Sequence, residues 1–220
     1  MTDAHDFRRA PLPTDLDRLL HDLRGPLNAT VMHLEVLKRL VGDEATARAS
    51  LASIHSEVER LATMLPLAFS ICALEMGPVR PLALRGLLES SIDENVRKRV
   101  HVEPGPWPDV EGDERLLTIA LRQILRNALE AGGDEGEVRV SVEPRAGGTV
   151  AVVVTDSGEG FKGRNPSSLV RLTASAKPGH LGIGLLVAQR IVRMHGGELA
   201  FDTASRGAVV RMILRARAQA

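Results

Sequence analysis

The run Leu19-Leu20-His21-Asp22-Leu23-Arg24-Gly25-Pro26-Leu27-Asn28 sets a histidine beside a carboxylate inside a helical repeat. Around it Leu16, Leu20, Leu23, Leu27, Val31, Leu34, Leu37 and Val41 recur at steps of three and four, the stripe of a helix packed on partner helices. His21 follows Leu20 by one position, about 100° round the helix, so it points off the packed face towards solvent or a visiting molecule. Pro26 lacks an amide hydrogen, which leaves the Asp22 carbonyl without its helical donor and predicts a kink one turn beyond the histidine. Taken alone, an exposed helical histidine is most simply a solvated one.

Working outward, the first helix is expected from Asp15 to Val41, ending at Gly42-Asp43-Glu44, where glycine can take a left-handed cap. Leu51, Ile54, Val58, Leu61, Leu65, Ala68 and Cys72 carry the same spacing towards Met76, predicting an antiparallel hairpin with a kink at Pro66. Two helices cannot bury both stripes between themselves. Either two hairpins pair about a two-fold axis as a four-helix bundle, giving a homodimer, or the following domain covers them. Gly77-Pro78 and Arg80-Pro81 break the pattern and mark the boundary. The expected organisation is thus a flexible leader 1–14, a hairpin 15–76 and a second domain 77–220.

Composition narrows the function. Lys plus Arg and Asp plus Glu both number 28 among 220 residues, for a formal net charge of +0, so the electrostatic footprint of a nucleic-acid binder is missing. The single cysteine, Cys72, cannot form an internal disulfide or a cysteine-ligated zinc site. No signal-like apolar run opens the chain, and Leu61 to Leu74, interrupted by Pro66, falls short of the roughly 20 residues that a membrane helix needs. The expectation is a soluble, cytoplasmic protein without membrane insertion. With aromatics at 2% and no Tyr, the core must be aliphatic.

Beyond the boundary the pattern predicts a helix from Leu84 to Lys98, a strand near Val100, a Pro-rich loop at Pro104 to Pro108 and a long helix from Glu114 to Ala131. Strands follow at Glu137 to Val142, Thr149 to Thr155, Glu198 to Thr203 and Ala208 to Leu214, with a helix at Leu186 to Met194. Helices on one face of antiparallel pairings make a two-layer α/β sandwich, and the fold class is α+β.

Three stretches of this second domain bear on chemistry. Gln123 and Asn127 stand four apart on one face of the long helix; each is either a satisfied core amide or an oxygen offered to a hard cation. The apolar strand Val152-Val153-Val154 runs into Thr155-Asp156-Ser157-Gly158-Glu159-Gly160, by default a turn. An aspartate at a strand end can also accept from an amino group of a base, with Gly158 and Gly160 letting the backbone approach. Gly179-His180-Leu181-Gly182-Ile183-Gly184-Leu185 opens a helix whose first amides favour phosphate. A P-loop is excluded for want of Gly-Lys-Ser/Thr, and a dinucleotide fingerprint for want of the third glycine.

The string HDLRGPLN resembles the H box of sensor histidine kinases, and RQILRNALEA, DSGEGF and GHLGIGLL, in that order, resemble the N, G1 and G2 boxes of their ATP-binding domain. The resemblance covers about Asp15 to Leu214 and implies a kinase core of the GHKL superfamily without the usual attached sensor. It implies that His21 accepts a phosphoryl group with Asp22 orienting or deprotonating it. Asn127 would hold Mg²⁺, Asp156 the adenine of ATP, and Gly158, Gly160, Gly182 and Gly184 would shape the pocket. Residues 161–181 would form the lid, with Lys177 as a phosphate contact or a solvated loop lysine. Implied partners are a second copy, a response-regulator receiver domain and a separate sensory protein. Gln123 occupies the place where related ATPases such as gyrase carry a glutamate base, and an amide cannot serve as one, which disfavours hydrolysis. Gly25, four residues after the histidine, lacks the Thr or Asn of kinases that also dephosphorylate their regulator. The main rival is a histidine phosphotransfer protein with a degenerate kinase-like domain that does not use ATP. A serine-kinase regulator and a purely structural dimer are the others.

Overall fold

A computed structural model describes residues 14–39, 44–72, 74–160, 184–204 and 206–217. The chain divides into two compact units, the first built from the opening helices and the second beginning at Leu74.

The first unit is a pair of helices packed on each other, α1 (Thr14–Arg39) and α2 (Glu44–Cys72). α1 runs on through Pro26, which is itself buried, as is Leu23. The hairpin leaves much of the predicted stripe in solvent. Leu27, Val31 and Leu34 are 45–57% exposed on α1, and Leu51 and Val58 are 55% and 48% exposed on α2. α2 ends short of Met76. Leu74 instead packs beside the core of the second unit, and the Gly77 amide donates to the Asp113 carboxylate at 2.7 Å, so the chain must leave the helix before then.

The second unit contains β1 (Arg80–Ala83), α3 (Leu84–Ser91), a 3₁₀ turn (Glu94–Arg99), β2 (Val100–Val102), β3 (Asp109–Gly112), α4 (Glu114–Ala131), β4 (Val138–Arg145), β5 (Thr149–Asp156), α5 (Gly184–Met194), β6 (Glu198–Thr203) and β7 (Ala208–Arg215). The single helix expected from Leu84 to Lys98 is broken at Ile92, whose backbone is extended at φ −92° and ψ 117°. Ser90 and Ser91 both turn their hydroxyls back onto the Leu87 carbonyl, the kind of bond that competes with a continuing helix.

Five strands form one sheet in the order β2-β4-β5-β7-β6. β4, β5, β7 and β6 pair antiparallel as expected, but β2 pairs parallel to β4, with Val100 opposite Val138. The connection between them includes β3 and α4, a crossover that returns the chain in the same direction. β1 and β3 form a separate two-stranded antiparallel ribbon. Their brevity and Pro81, tolerable on an edge strand, hid them from the pattern.

One face of the sheet, with Val140, Val152, Val154 and Met212, joins Leu117, Leu121, Ile124 and Ala128 of α4 in an aliphatic core. On the other face Ala151, Val153 and Val209 are buried, and Arg211 reaches Glu143 at 3.6 Å and Asp202 at 3.3 Å.

Asp113 ties three segments of this unit together. Its carboxylate caps α4 by accepting from the Leu116 amide at 3.2 Å and also accepts from Gly77. Its own amide donates to His195 Nε2 at 3.0 Å, while His195 Nδ1 meets the Ile191 carbonyl at 2.7 Å, which places the ring proton on Nδ1. Burial works to raise the Asp113 pKa, but the bonds from Gly77 and Leu116 and the nearby Arg115 guanidinium outweigh it and hold the carboxyl below its ordinary value. A lowered carboxylate pKa adds stability that is fully present above the unfolded value of about 3.9 and is lost as pH falls through the folded value. Asp113→Ala is therefore expected to lower unfolding stability in urea by about 2 kcal/mol at pH 7. The gap should narrow below about pH 4; a gap unchanged in acid would contradict this account.

Candidate active site

His21 is placed by α1, one residue from the packed stripe. Its side chain is 72% exposed and its Nδ1 lies 3.5 Å from Oδ1 of Asp22, which is only 10% exposed. A carboxylate beside Nδ1 favours the tautomer with the proton on that nitrogen and leaves the Nε2 lone pair for chemistry. Gly25 has nothing within 4 Å of where a Cβ would stand, so packing does not require the glycine.

The remaining site residues that the structure describes belong to the second unit. α4 buries its apolar face on the sheet and leaves Gln123 half-buried and Asn127 exposed. Gln123 Oε1 accepts from Arg126 Nη2 at 2.7 Å. The same oxygen would lie 2.7 Å from a Cβ at Gly184, so the glycine lets the start of α5 come against α4. Of the two readings of Asn127, the buried core amide is excluded by its exposure.

Asp156 ends β5 and is 5% exposed. Its Oδ1 accepts from the amides of Gly158 at 2.9 Å and Ala208 at 3.2 Å; among the described residues no group donates to Oδ2. Within the described residues the carboxylate is thus fixed by one oxygen and open through the other. A Cβ at Gly158 would stand 2.5 Å from the Ala131 carbonyl oxygen, which keeps this turn against the end of α4. Gly160 has φ +65°. Sequence reasoning missed Gly207, at φ +85°, where a Cβ would fall 1.8 Å from the Asp156 carbonyl oxygen. Its signal was its position just before β7, which reads first as an ordinary hairpin turn. Lys177, Gly182 and the lid 161–181 lie outside the described residues.

These groups fit the ligands that the resemblance implies. Asp156 offers a fixed, buried acceptor of the kind a purine amino group needs. Among the described residues no group of three or more His, Cys, Asp or Glu could hold a metal ion. A single exposed Asn127 oxygen suits Mg²⁺, which keeps waters and takes substrate phosphates rather than a protein cage. No described helix is long and apolar enough to cross a membrane.

Residues 112–218 match the family described as Histidine kinase-, DNA gyrase B-, and HSP90-like ATPase. Adaptive-response sensory kinase SasA of Prochlorococcus marinus (strain MIT 9313) is 28% identical over 203 residues, covering 84% of this chain and 53% of its own length. The chain thus spans about half the length of the curated relatives it matches. The solved structure of the mycobacterial sensor histidine kinase MprB aligns with a TM-score of 0.54 at 26% identity, over 64% of this chain and 100% of that one. Histidine kinase ThkA, in a crystal structure with the response regulator protein TrrA, shares the fold over 94% of this chain and 62% of that one, with a TM-score of 0.59 and 20% identity. The second unit thus matches this ATPase family over residues 112–218, and with the helical hairpin before it the chain is similar to sensor histidine kinases.

Proposed function

We propose that this protein is an ATP-dependent protein-histidine kinase that phosphorylates its own His21 and passes the group to an aspartate of a response-regulator receiver domain. The observation that carries the reading is the exposed His21 with the Asp22 carboxylate at its Nδ1, on the same chain as an ATPase-family domain. In the reaction His21 Nε2 forms a bond to the γ-phosphorus of ATP as the bond to the bridging oxygen breaks and ADP leaves. Asp22 holds or accepts the Nδ1 proton as positive charge develops on the ring. Little covalent work falls to the protein in such a transfer; positioning and charge compensation dominate. Asp156 would hold the adenine and Asn127 the Mg²⁺, which supplies charge neutralisation on the phosphates when bound.

Gln123 supports transfer over hydrolysis, because its amide has no proton-accepting role and is already engaged by Arg126. The fixed Asp156 carboxylate argues for a nucleotide-using kinase over a degenerate phosphotransfer protein.

In this reading residues 15–76 form the phosphoacceptor and dimerisation domain, 77–220 the catalytic domain, and 1–14 a leader. The exposed Leu27, Val31, Leu34, Leu51 and Val58 supply the face on which a second copy completes a four-helix bundle. The protein would work in the cytoplasm under a separate sensory protein.

Incubation with ATP labelled at the γ-phosphate is expected to give an acid-labile, alkali-stable phosphoprotein, absent from His21→Ala; equal labelling of that variant would refute the assignment. In sedimentation the full chain is expected at the mass of a dimer, and Leu27→Glu/Val31→Glu at that of a monomer. A wild-type monomer, or a dimer undisturbed by the two charges, would remove the bundle from the account.

A further inference from the structure

The second unit carries a recess that the proposed reaction does not use. α3, the 3₁₀ turn and α4 enclose a cleft of ≈ 630 Å³, within the range of small-molecule sites, about 300–1,000 Å³. Neither Asn127 nor Asp156 lines it. Its floor is aliphatic, from Ile92, Val96, Val100, Leu125 and Leu129.

Three arginines stand around that floor, in different states. Arg99 spends itself on backbone carbonyls, donating to Gly136 at 2.8 Å, to Leu129 at 3.3 Å and to Gly133. Arg126 is held by Gln123 and by Glu130 at 3.6 Å. Arg122 is exposed and, among the described residues, makes one bond, from Nη2 to the Ser90 carbonyl at 3.2 Å, with no carboxylate paired to it. A guanidinium carries five N–H donors, so most of the capacity of this cleft-lining side chain is unspent on the described residues. Asp93 and Asp134 also line the cleft, without pairing to Arg122.

We propose that this cleft binds a small organic anion with an apolar body, its acidic group on Arg122 and its body on the aliphatic floor. An inorganic anion would leave the floor wet, and a neutral apolar molecule would leave the guanidinium without a counter-charge. The site is joined to the nucleotide side through α4. Gln123 lines the cleft and also meets Gly184 at the start of α5, so an occupant that moves Arg126 or Gln123 bears on the junction of α4 with α5.

The probe is anilinonaphthalene sulfonate, an amphipathic anion, titrated into the full-length protein by fluorescence, with neutral N-phenylnaphthylamine as its uncharged counterpart. The expected result is one saturable sulfonate site per chain, weakened about tenfold or more by Arg122→Glu and largely kept by Arg122→Lys. Binding of the neutral dye should be unchanged by Arg122→Glu, which also shows the floor intact, and saturating ATP with Mg²⁺ should not displace the sulfonate. The proposal is overturned if the wild type shows no saturable site, if Arg122→Glu binds the sulfonate like the wild type, or if ATP competes with it. None of these readouts depends on phosphorylation of His21, so the cleft can fail while the kinase reading stands.

Discussion

The second unit depends on one constraint: α4 must bury Leu117, Leu121, Ile124 and Ala128 against the sheet while keeping Gln123 and Asn127 off the core. An eighteen-residue helix with an apolar stripe of this width fixes its own rotation about its axis. Its position along that axis is set by the Asp113 cap at one end. At the other, the approach of Gly158 to the Ala131 carbonyl brings the Asp156 turn against the helix. A shift of the cap would move the amide face relative to Asp156, so a polar residue takes part in setting the geometry.

The Asp156 turn answers the same constraint from the strand side. Its carboxylate is fixed by amides from two different loops, at Gly158 and Ala208, and Gly207 makes room for the second of them. Charge-assisted bonds of this kind preorganise an acceptor before a ligand arrives. The histidine is arranged on other terms. His21 is exposed, its position fixed by the helix it rides on and its tautomer favoured by the neighbouring Asp22, which is what the proposed phosphoacceptor role would require.

What the sequence disclosed follows from which forces are local. The stripe through Leu23 and Leu27, the periodicity of α4 and the β-branched or alternating residues of β4 to β7 are written in neighbouring residues, and the order of the stretches that resemble H, N, G1 and G2 boxes could be read along the chain. The parallel pairing of β2 with β4 was not legible, because a three-residue strand carries no record of its partner's direction. Nor was the ribbon of β1 and β3, whose pairing joins segments on either side of α3. The break at Ile92 turned on two serine hydroxyls that a hydrophobic pattern overlooks. Gly207 and His195 were missed for the same reason: each acts on a residue distant in sequence, Asp156 in one case and Asp113 in the other.

The central claim is that Asp156 presents a fixed acceptor to the amino group of adenine, and calorimetry on two nucleotides tests it most directly. With Mg²⁺ present, the wild type should bind ATP at least about tenfold more tightly than inosine triphosphate, whose ring carries an oxygen in place of that amino group. Asp156→Asn keeps an oxygen for the Gly158 and Ala208 amides but presents an amide nitrogen to the base, so it should lose ATP affinity and narrow or reverse the preference. Equal binding of both nucleotides by the wild type, or a preference for ATP that survives in Asp156→Asn, would contradict the account.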